Sequence, residues 1–318
     1  MLVSLRLTRS ALALPMKNEP QLPRLIALTL LAVPVLLAGA PAFAQQPPST
    51  VFRTSLPELS AGNYSYSTKA DLKLNGAKVG GVAVHHAEVS ISGRHKLTTG
   101  LRLAYGLDYD TNLLAADAAV PLPDQLSVFS LNLGLIRPLN SEWTAALFAR
   151  PGFYSDFEDV GSRSLNAPVL VTATYTPRRE IVWTFAFRLD PFAKNTVLPV
   201  LGVRWQFAPG WNFELGFPHT GLTWQVSGDL ALRIDLSFQG GSYRVMHAPA
   251  AVPALGGTLL DYREIRAGAG FDFQLANATT LSLEAGFVTD RRFDYHERNY
   301  RLKGDPAGYL KLSFQLNF

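Results

Sequence analysis

Residues 309–318 read Tyr-Leu-Lys-Leu-Ser-Phe-Gln-Leu-Asn-Phe. Leu310, Leu312, Phe314, Leu316 and Phe318 fall on one face, and Tyr309, Lys311, Ser313, Gln315 and Asn317 fall on the other. Strict period two is the signature of a β-strand. One wholly apolar face set against one wholly polar face suits lipid outside and water inside, the two solvents of a transmembrane barrel strand.

The same alternation recurs along the chain. Segments 64–73, 84–94, 101–109, 128–135, 143–153, 169–176, 181–189, 201–207, 211–217, 222–226, 230–238, 265–275 and 281–289 each read as strands. In 101–109, Leu101, Leu103, Tyr105, Leu107 and Tyr109 oppose Arg102, Ala104, Gly106 and Asp108. The expected fold is all-β: a transmembrane antiparallel up-and-down barrel of about fourteen strands of roughly ten residues. Connections 96–100, 137–142, 177–180, 208–210, 227–229 and 276–280 are short, whereas 111–125, 155–167, 190–197, 245–262 and 291–305 are long. Short periplasmic turns and long outer loops are the asymmetry of such barrels. The tight outer connection 218–221 breaks the rule; if its hairpin does not span, the barrel has twelve strands.

Composition narrows the class. The chain of 318 residues has no cysteine, which excludes a disulfide framework and thiolate metal sites. Past the N-terminal segment, no run approaches the ~20 apolar residues of a spanning helix, so membrane residence must be by strands. Lys17 and Arg24 precede an apolar run, and Ala42-Phe43-Ala44 fits signal-peptide cleavage. Residues 1–44 are therefore expected to be a cleaved leader, with Met16 a second candidate start. Residues 45–59 form a polar, proline-containing periplasmic lead, and 60–318 form the barrel. The leader carries Arg6, Arg9, Lys17, Arg24 and Glu19, a net +3, so the formal +4 of the whole chain falls to +1. The basic balance is no argument for nucleic acid.

The inward faces carry eight bases, Arg94, Arg102, Arg150, Arg188, Arg204, Arg233, Arg266 and Lys311. Ten acids oppose them: Glu88, Asp108, Asp110, Asp190, Glu214, Asp235, Glu264, Asp272, Glu284 and Asp290. Near balance disfavours strong ion selectivity. It fits either a charged pore lining that filters solutes or a salt-bridged interior. Asp108, Asp110 and Asn112 share a face, but three ligands from one strand fall short of a calcium shell. His85 and His86 point to opposite faces and cannot chelate together, so His86 reads as a lining residue. No metal or cofactor is expected. A lipid-acting hydrolase needs serine and histidine side by side; no Gly-x-Ser-x-Gly motif is present, and His219, His247 and His296 lie near the outer rim.

Two outer segments, 113–122 and 245–260, are unusually apolar, the second with Met246, Val252, Leu255, Leu259 and Leu260. Ordering this loop over or into the mouth, with Met246 and Leu255 inward, would remove apolar surface from water at roughly 25 cal/mol per Å²; packing of loop on loop is the other reading. Loop 291–303 is rich in Arg and Tyr, with Asp294 and Glu297, and suits lipopolysaccharide phosphates or plain solvation. Trp143, Trp183, Trp205, Trp211, Trp224, Tyr109 and Phe318 sit at strand ends, as interfacial girdles do.

Two resemblances add to this reading. The final strand, with Tyr309, Leu316 and the aromatic Phe318, resembles the closing strand of bacterial outer-membrane barrels, which implies recognition by the barrel assembly machinery. Residues 201–245, LGVRWQFAPGWNFELGFPHTGLTWQVSGDLALRIDLSFQGGSYRV, have the Phe217-Pro218 corner and Gly240-Gly241 before Tyr243-Arg244. This stretch resembles the bacterial domain-of-unknown-function 6268 family. The resemblance implies an outer-membrane barrel and brings no catalytic residues.

The implied role is passive passage of small solutes. The alternatives are a plugged barrel serving structure, adhesion or lipid contact, and, third, a lipid-acting enzyme. Removal of Phe318 is expected to leave the protein in the periplasm, degraded. Normal amounts of the truncated chain in outer-membrane fractions would contradict that role for the last residue.

Overall fold

The computed structural model describes residues 62–247, 249–276 and 278–316. The leader and lead expected at 1–44 and 45–59 lie outside the described residues, as do Asn317 and Phe318. The described chain is almost wholly strand: β1 (Gly62–Leu74), β2 (Ala77–Thr98), β3 (Leu101–Ala116), β4 (Gln125–Pro138), β5 (Trp143–Ala149), β6 (Gly152–Ser155), β7 (Leu165–Asn166), β8 (Val169–Arg178) and β9 (Ile181–Leu189). There follow β10 (Val197–Ala208), β11 (Trp211–Leu215), β12 (His219–Gln225), β13 (Leu230–Val245), β14 (Thr258–Ala276), β15 (Thr279–Tyr295), β16 (Tyr300–Gly304) and β17 (Ala307–Leu316).

Three pairs of these strands are single wall strands interrupted at a proline. Pro151 separates β5 from β6, Pro168 separates β7 from β8, and Pro306 separates β16 from β17. Proline has no N–H to give the ladder, so pairing stops there. Counted this way the wall has 14 strands. It closes where β1 meets β17 antiparallel, with Tyr64 opposite Leu312 and Tyr66 opposite Leu310. The twelve-strand alternative is excluded, because β11 pairs with β10 and β12 pairs with β13 inside the ring.

The alternation sets the faces as expected. On β4, Leu131 and Leu133 stand exposed on the outer surface, while Ser130 and Asn132 are buried inside. All five tryptophans lie near one end, beside the short turns. Trp143 stacks on Tyr175 at 4.7 Å, and Trp211 stacks on Trp224 at 5.3 Å. They form a girdle at one interface, where an amphipathic ring finds both an apolar slab and a polar edge.

The opposite end departs from expectation in two ways. Two segments read as loops hold strand: β3 runs on to Ala116, and residues 291–305 hold the end of β15, a short connection at 296–299, and β16. The wall is also uneven in height. β2 has 22 residues, roughly 70 Å of chain at about 3.3 Å per residue. Across the barrel, β11 has 5 residues and β12 has 7, short of the ~9–11 a tilted strand uses to span. On the tall side the β1–β2 hairpin turns on Asn75 and Gly76, both at positive φ, as a two-residue hairpin requires.

Substituting Leu131→Arg is expected to cost about 2–4 kcal/mol in lipid vesicles, because it puts a charge on the lipid face. Asn132→Arg, on the polar side, should cost far less. Equal losses in denaturant titrations of the two variants would reverse the face assignment.

Candidate functional site

The interior is built on two levels. β13 pairs with β12 only as far as Ser237 opposite His219. Beyond that it stays with β14 up to Val245 opposite Thr258, but its other edge crosses to β6, where Arg244 pairs parallel with Ser155. Gly240 permits the bend: its φ is +138°, and a Cβ there would fall 2.1 Å from the Tyr262 carbonyl oxygen. Asp156 fastens the seam. Its N–H donates to the Arg244 carbonyl at 3.3 Å, and its Oδ2 accepts the N–H groups of Met246 at 2.8 Å and His247 at 2.9 Å. Burial raises the Asp156 carboxyl above its ordinary range, against the pull of those N–H donors. The upper barrel is thus a narrower ring of β13–β16, β1–β4 and β6, while β8–β12 form a lower wall beside it.

Apolar side chains fill the narrow ring. Leu72, Val84, Leu114, Leu126, Tyr243, Val245, Leu255, Leu260, Phe293, Tyr295 and Leu302 form one buried cluster. Tyr262 stacks on Phe293 at 4.9 Å, and the Tyr295 hydroxyl donates to the Pro121 carbonyl at 2.8 Å. Both apolar outer segments fold in: Leu114, Val120 and Leu122 from the first, and Leu255, Leu259 and Leu260 from the second. Each large side chain so buried contributes about 1.5–3 kcal/mol. Leu255 points inward as expected, whereas Met246 is only half-buried at the rim. The axial mouth is therefore a plug.

Beneath the plug lies a buried charge network. Arg291 Nε donates to Glu264 Oε1 at 2.6 Å, and Arg266 Nε donates to Glu264 Oε2 at 2.8 Å. Arg266 Nη1 donates to Ser65 at 2.9 Å, and Arg291 donates to Ser67 at 2.7 Å and to the Val82 carbonyl at 3.0 Å. Arg291 and Glu264 are fully buried. A second network joins Arg233 to Asp272 at 2.6 Å and to Glu284 at 2.8 Å, and Glu284 also accepts from the Tyr309 hydroxyl. Lys311 stands opposite Glu284 in register, and Arg204 opposite Glu214. Asp235 is half-exposed on β13, on the same face as Arg233. Arg150 reaches Asp108 at 3.1 Å, and Arg188 reaches Asp190 at 2.6 Å. Arg94 and Arg102 are exposed near the short-turn end. Glu88 and Asp110 face each other across β2 and β3.

One expectation fails in β15. Asp290 was expected inside, and Arg291 in a solvated loop. A bulge gives β15 one extra residue, Thr289, between the pairs Ile265–Asp290 and Arg266–Val288. One extra residue flips every side chain beyond it. Asp290 therefore turns outward, to Arg263 at 3.2 Å and Arg292 at 2.9 Å, and Arg291 turns into the core. The candidate histidines of the hydrolase reading sit apart, His219 on β12, His247 in connection 246–257 and His296 in connection 296–299.

The family described as Domain of unknown function (DUF6268) matches residues 96–317, and the chain belongs to it. Among solved structures, a TodX monoaromatic hydrocarbon channel mutant is similar at 12% identity and a TM-score of 0.49, covering 86% of this chain and 93% of that one. A Pseudomonas aeruginosa FadL homologue is similar at 12% identity and 0.39, covering 81% and 89%. The NanC porin is similar at 7% identity and 0.38, covering 81% and 98%. Scores this low say nothing about what passes through. No curated protein matches the chain.

Glu264→Ala would leave two buried guanidinium groups without their carboxylate. Its expected cost is about 3–5 kcal/mol, against at most about 1 kcal/mol for Asp272→Ala in the more exposed network. Chemical denaturation of the two variants compares them directly, and similar midpoints would remove the Glu264 network from the framework of the fold.

Proposed function

We propose that this chain is an outer-membrane channel for passive passage of small solutes, whose route leaves the barrel sideways beneath the plug. One observation carries the reading. Above the short β11–β12 hairpin, residues 197–202 of β10 pair with β9 alone, and β13 above Ser237 pairs with β14 and, at Arg244, with β6. The wall there shows two facing strand edges. Unpaired backbone at membrane depth is tolerated only where it lines a water-filled space or is covered by protein. A gap that holds water or solute meets that requirement, and the polar lumen below supplies its continuation.

The same reading gives 1–44 the role of a cleaved export signal and 45–59 that of a periplasmic lead, with insertion by the barrel assembly machinery. At the tall rim, Lys73, Lys194, Arg301 and Lys303 line a cleft of about 420 Å³. Asp294 pairs with Lys194 at 3.2 Å and with Arg301 at 2.8 Å. The excess of bases suits anionic groups, and lipopolysaccharide phosphates supply them in this membrane. A second reading, a closed barrel serving structure, adhesion or lipid contact, draws on the plug and the buried Glu264 network.

Recording in planar bilayers separates the two readings. Steady open steps are expected from the channel, and silence would favour the closed barrel. The route is tested by bulky maleimide labels on cysteine variants. A label at Gly216→Cys, at the low hairpin, should block the steps, whereas one at Gly256→Cys, on the plug connection, should not. The reverse pattern would establish an axial route.

A further inference from the structure

Immediately below the plug, β2 and β3 bring three side chains together, two from the first strand and one from the second. His86 and Glu88 share the inner face of β2, two residues apart. Asp110 arrives from β3 because the register sets it directly opposite Glu88. One potential ligand atom from each of His86, Glu88 and Asp110 lies within 4.8 Å of the others, and this is a group of metal-binding type found among the described residues.

The charges around these groups do not balance. Like charges directly opposite on adjacent strands repel. Asp108, two residues from Asp110 on the same face, adds a third carboxylate. The guanidinium that reaches them is that of Arg150, and it is placed on Asp108 at 3.1 Å. His86 Nδ1 is 3.7 Å from Asp110 Oδ1, and Asn63 Nδ2 donates to Glu88 Oε2 at 2.7 Å. Among the described residues, three carboxylates thus gather around one guanidinium and one imidazole.

A separate observation points to a ligand. Asn63 Oδ1, on the carboxamide that already touches Glu88, is shut off from solvent and accepts no hydrogen bond. A half-turn of that amide exchanges its oxygen and nitrogen. It would set Oδ1 where Nδ2 now stands beside the Glu88 oxygen, a contact that repels unless a cation lies between the two oxygens.

We propose that His86, Glu88 and Asp110 bind one divalent cation of the zinc type on the lumen wall, with the Asn63 amide oxygen as a further ligand and lumen water completing the shell. One imidazole nitrogen and two carboxylates are a donor set that zinc takes at about 2.0–2.2 Å. Ligand atoms around a tetrahedral zinc lie about 3.4 Å from one another, so atoms now up to 4.8 Å apart must close by at most about 1.4 Å, within reach of side-chain rotation. Bound there, the ion would cancel the Glu88–Asp110 repulsion and tie β2 to β3 beneath the plug.

The test uses the full chain, purified in detergent, stripped with chelator and titrated with zinc ion in a calorimeter. One equivalent is expected to bind. Glu88→Gln and Asp110→Asn keep the shape and remove a charge, and each should weaken binding by at least about 100-fold, more than the loss of a supporting residue outside the ligand set. His86→Gln should abolish preference for zinc over calcium, because the nitrogen donor is what distinguishes them. Asp272→Asn, in the separate Arg233 network, should bind as the unaltered chain does. Failure of the unaltered chain to take up one equivalent would overturn the proposal. So would uptake that survives both Glu88→Gln and Asp110→Asn, with circular dichroism confirming that the variants are folded.

Discussion

Backbone pairing is the constraint on which the rest of this structure depends. In hydrocarbon an unpaired N–H or carbonyl finds no water, so a sheet that crosses lipid has to close on itself. Closure through β1 and β17 satisfies that demand for most of the wall. It also sorts the side chains, because a closed sheet has one inside and one outside and the pleat sends alternate residues to each. The leucine stripes of β4 and the buried serines between them follow from that geometry alone.

Within this frame, two one-residue devices give the barrel a second, smaller circumference at one end. Gly240 lets β13 swing from β12 toward β6, and Thr289 adds a residue to β15 so that Arg291, Phe293 and Tyr295 face inward together. The apolar content of connection 246–257 then has somewhere to go. Had the wide ring continued to the top, Leu255, Leu259 and Leu260 would have faced a water-filled mouth. The narrowing and the plug therefore require each other, and the buried Glu264–Arg291–Arg266 network lies where apolar packing gives way to polar lining.

Much of this was legible in the chain, since alternation is local and strand faces follow from it. The fourteen segments and the burial of Leu255 could be read from neighbours in sequence, and Asp108, Glu264 and Arg266, expected on inner faces, are buried. What was hidden depended on register or on a change of phase. Arg291 reads as a loop residue because nothing in its neighbours announces the bulge at Thr289. Glu88 and Asp110 were each placed on an inner face, but their meeting depends on how β2 is set against β3. The short β11–β12 hairpin left the strand count open, because length alone does not show whether a hairpin is paired on both sides.

The tryptophan girdle occupies a single rim, and this one-sidedness bears on how the barrel enters a membrane. Indole is costly to move through either pure solvent and comfortable at the boundary between them. A barrel that inserts from its short-turn side leaves Trp143, Trp205, Trp211 and Trp224 in the leaflet it first meets. None of these rings has to traverse the slab. The leading end carries its large apolar groups folded inside the narrow ring and offers the far interface mainly charged hairpins. Anchoring is thus a property of the trailing rim, and the tall side is left free to vary its height without disturbing the depth at which the wall sits.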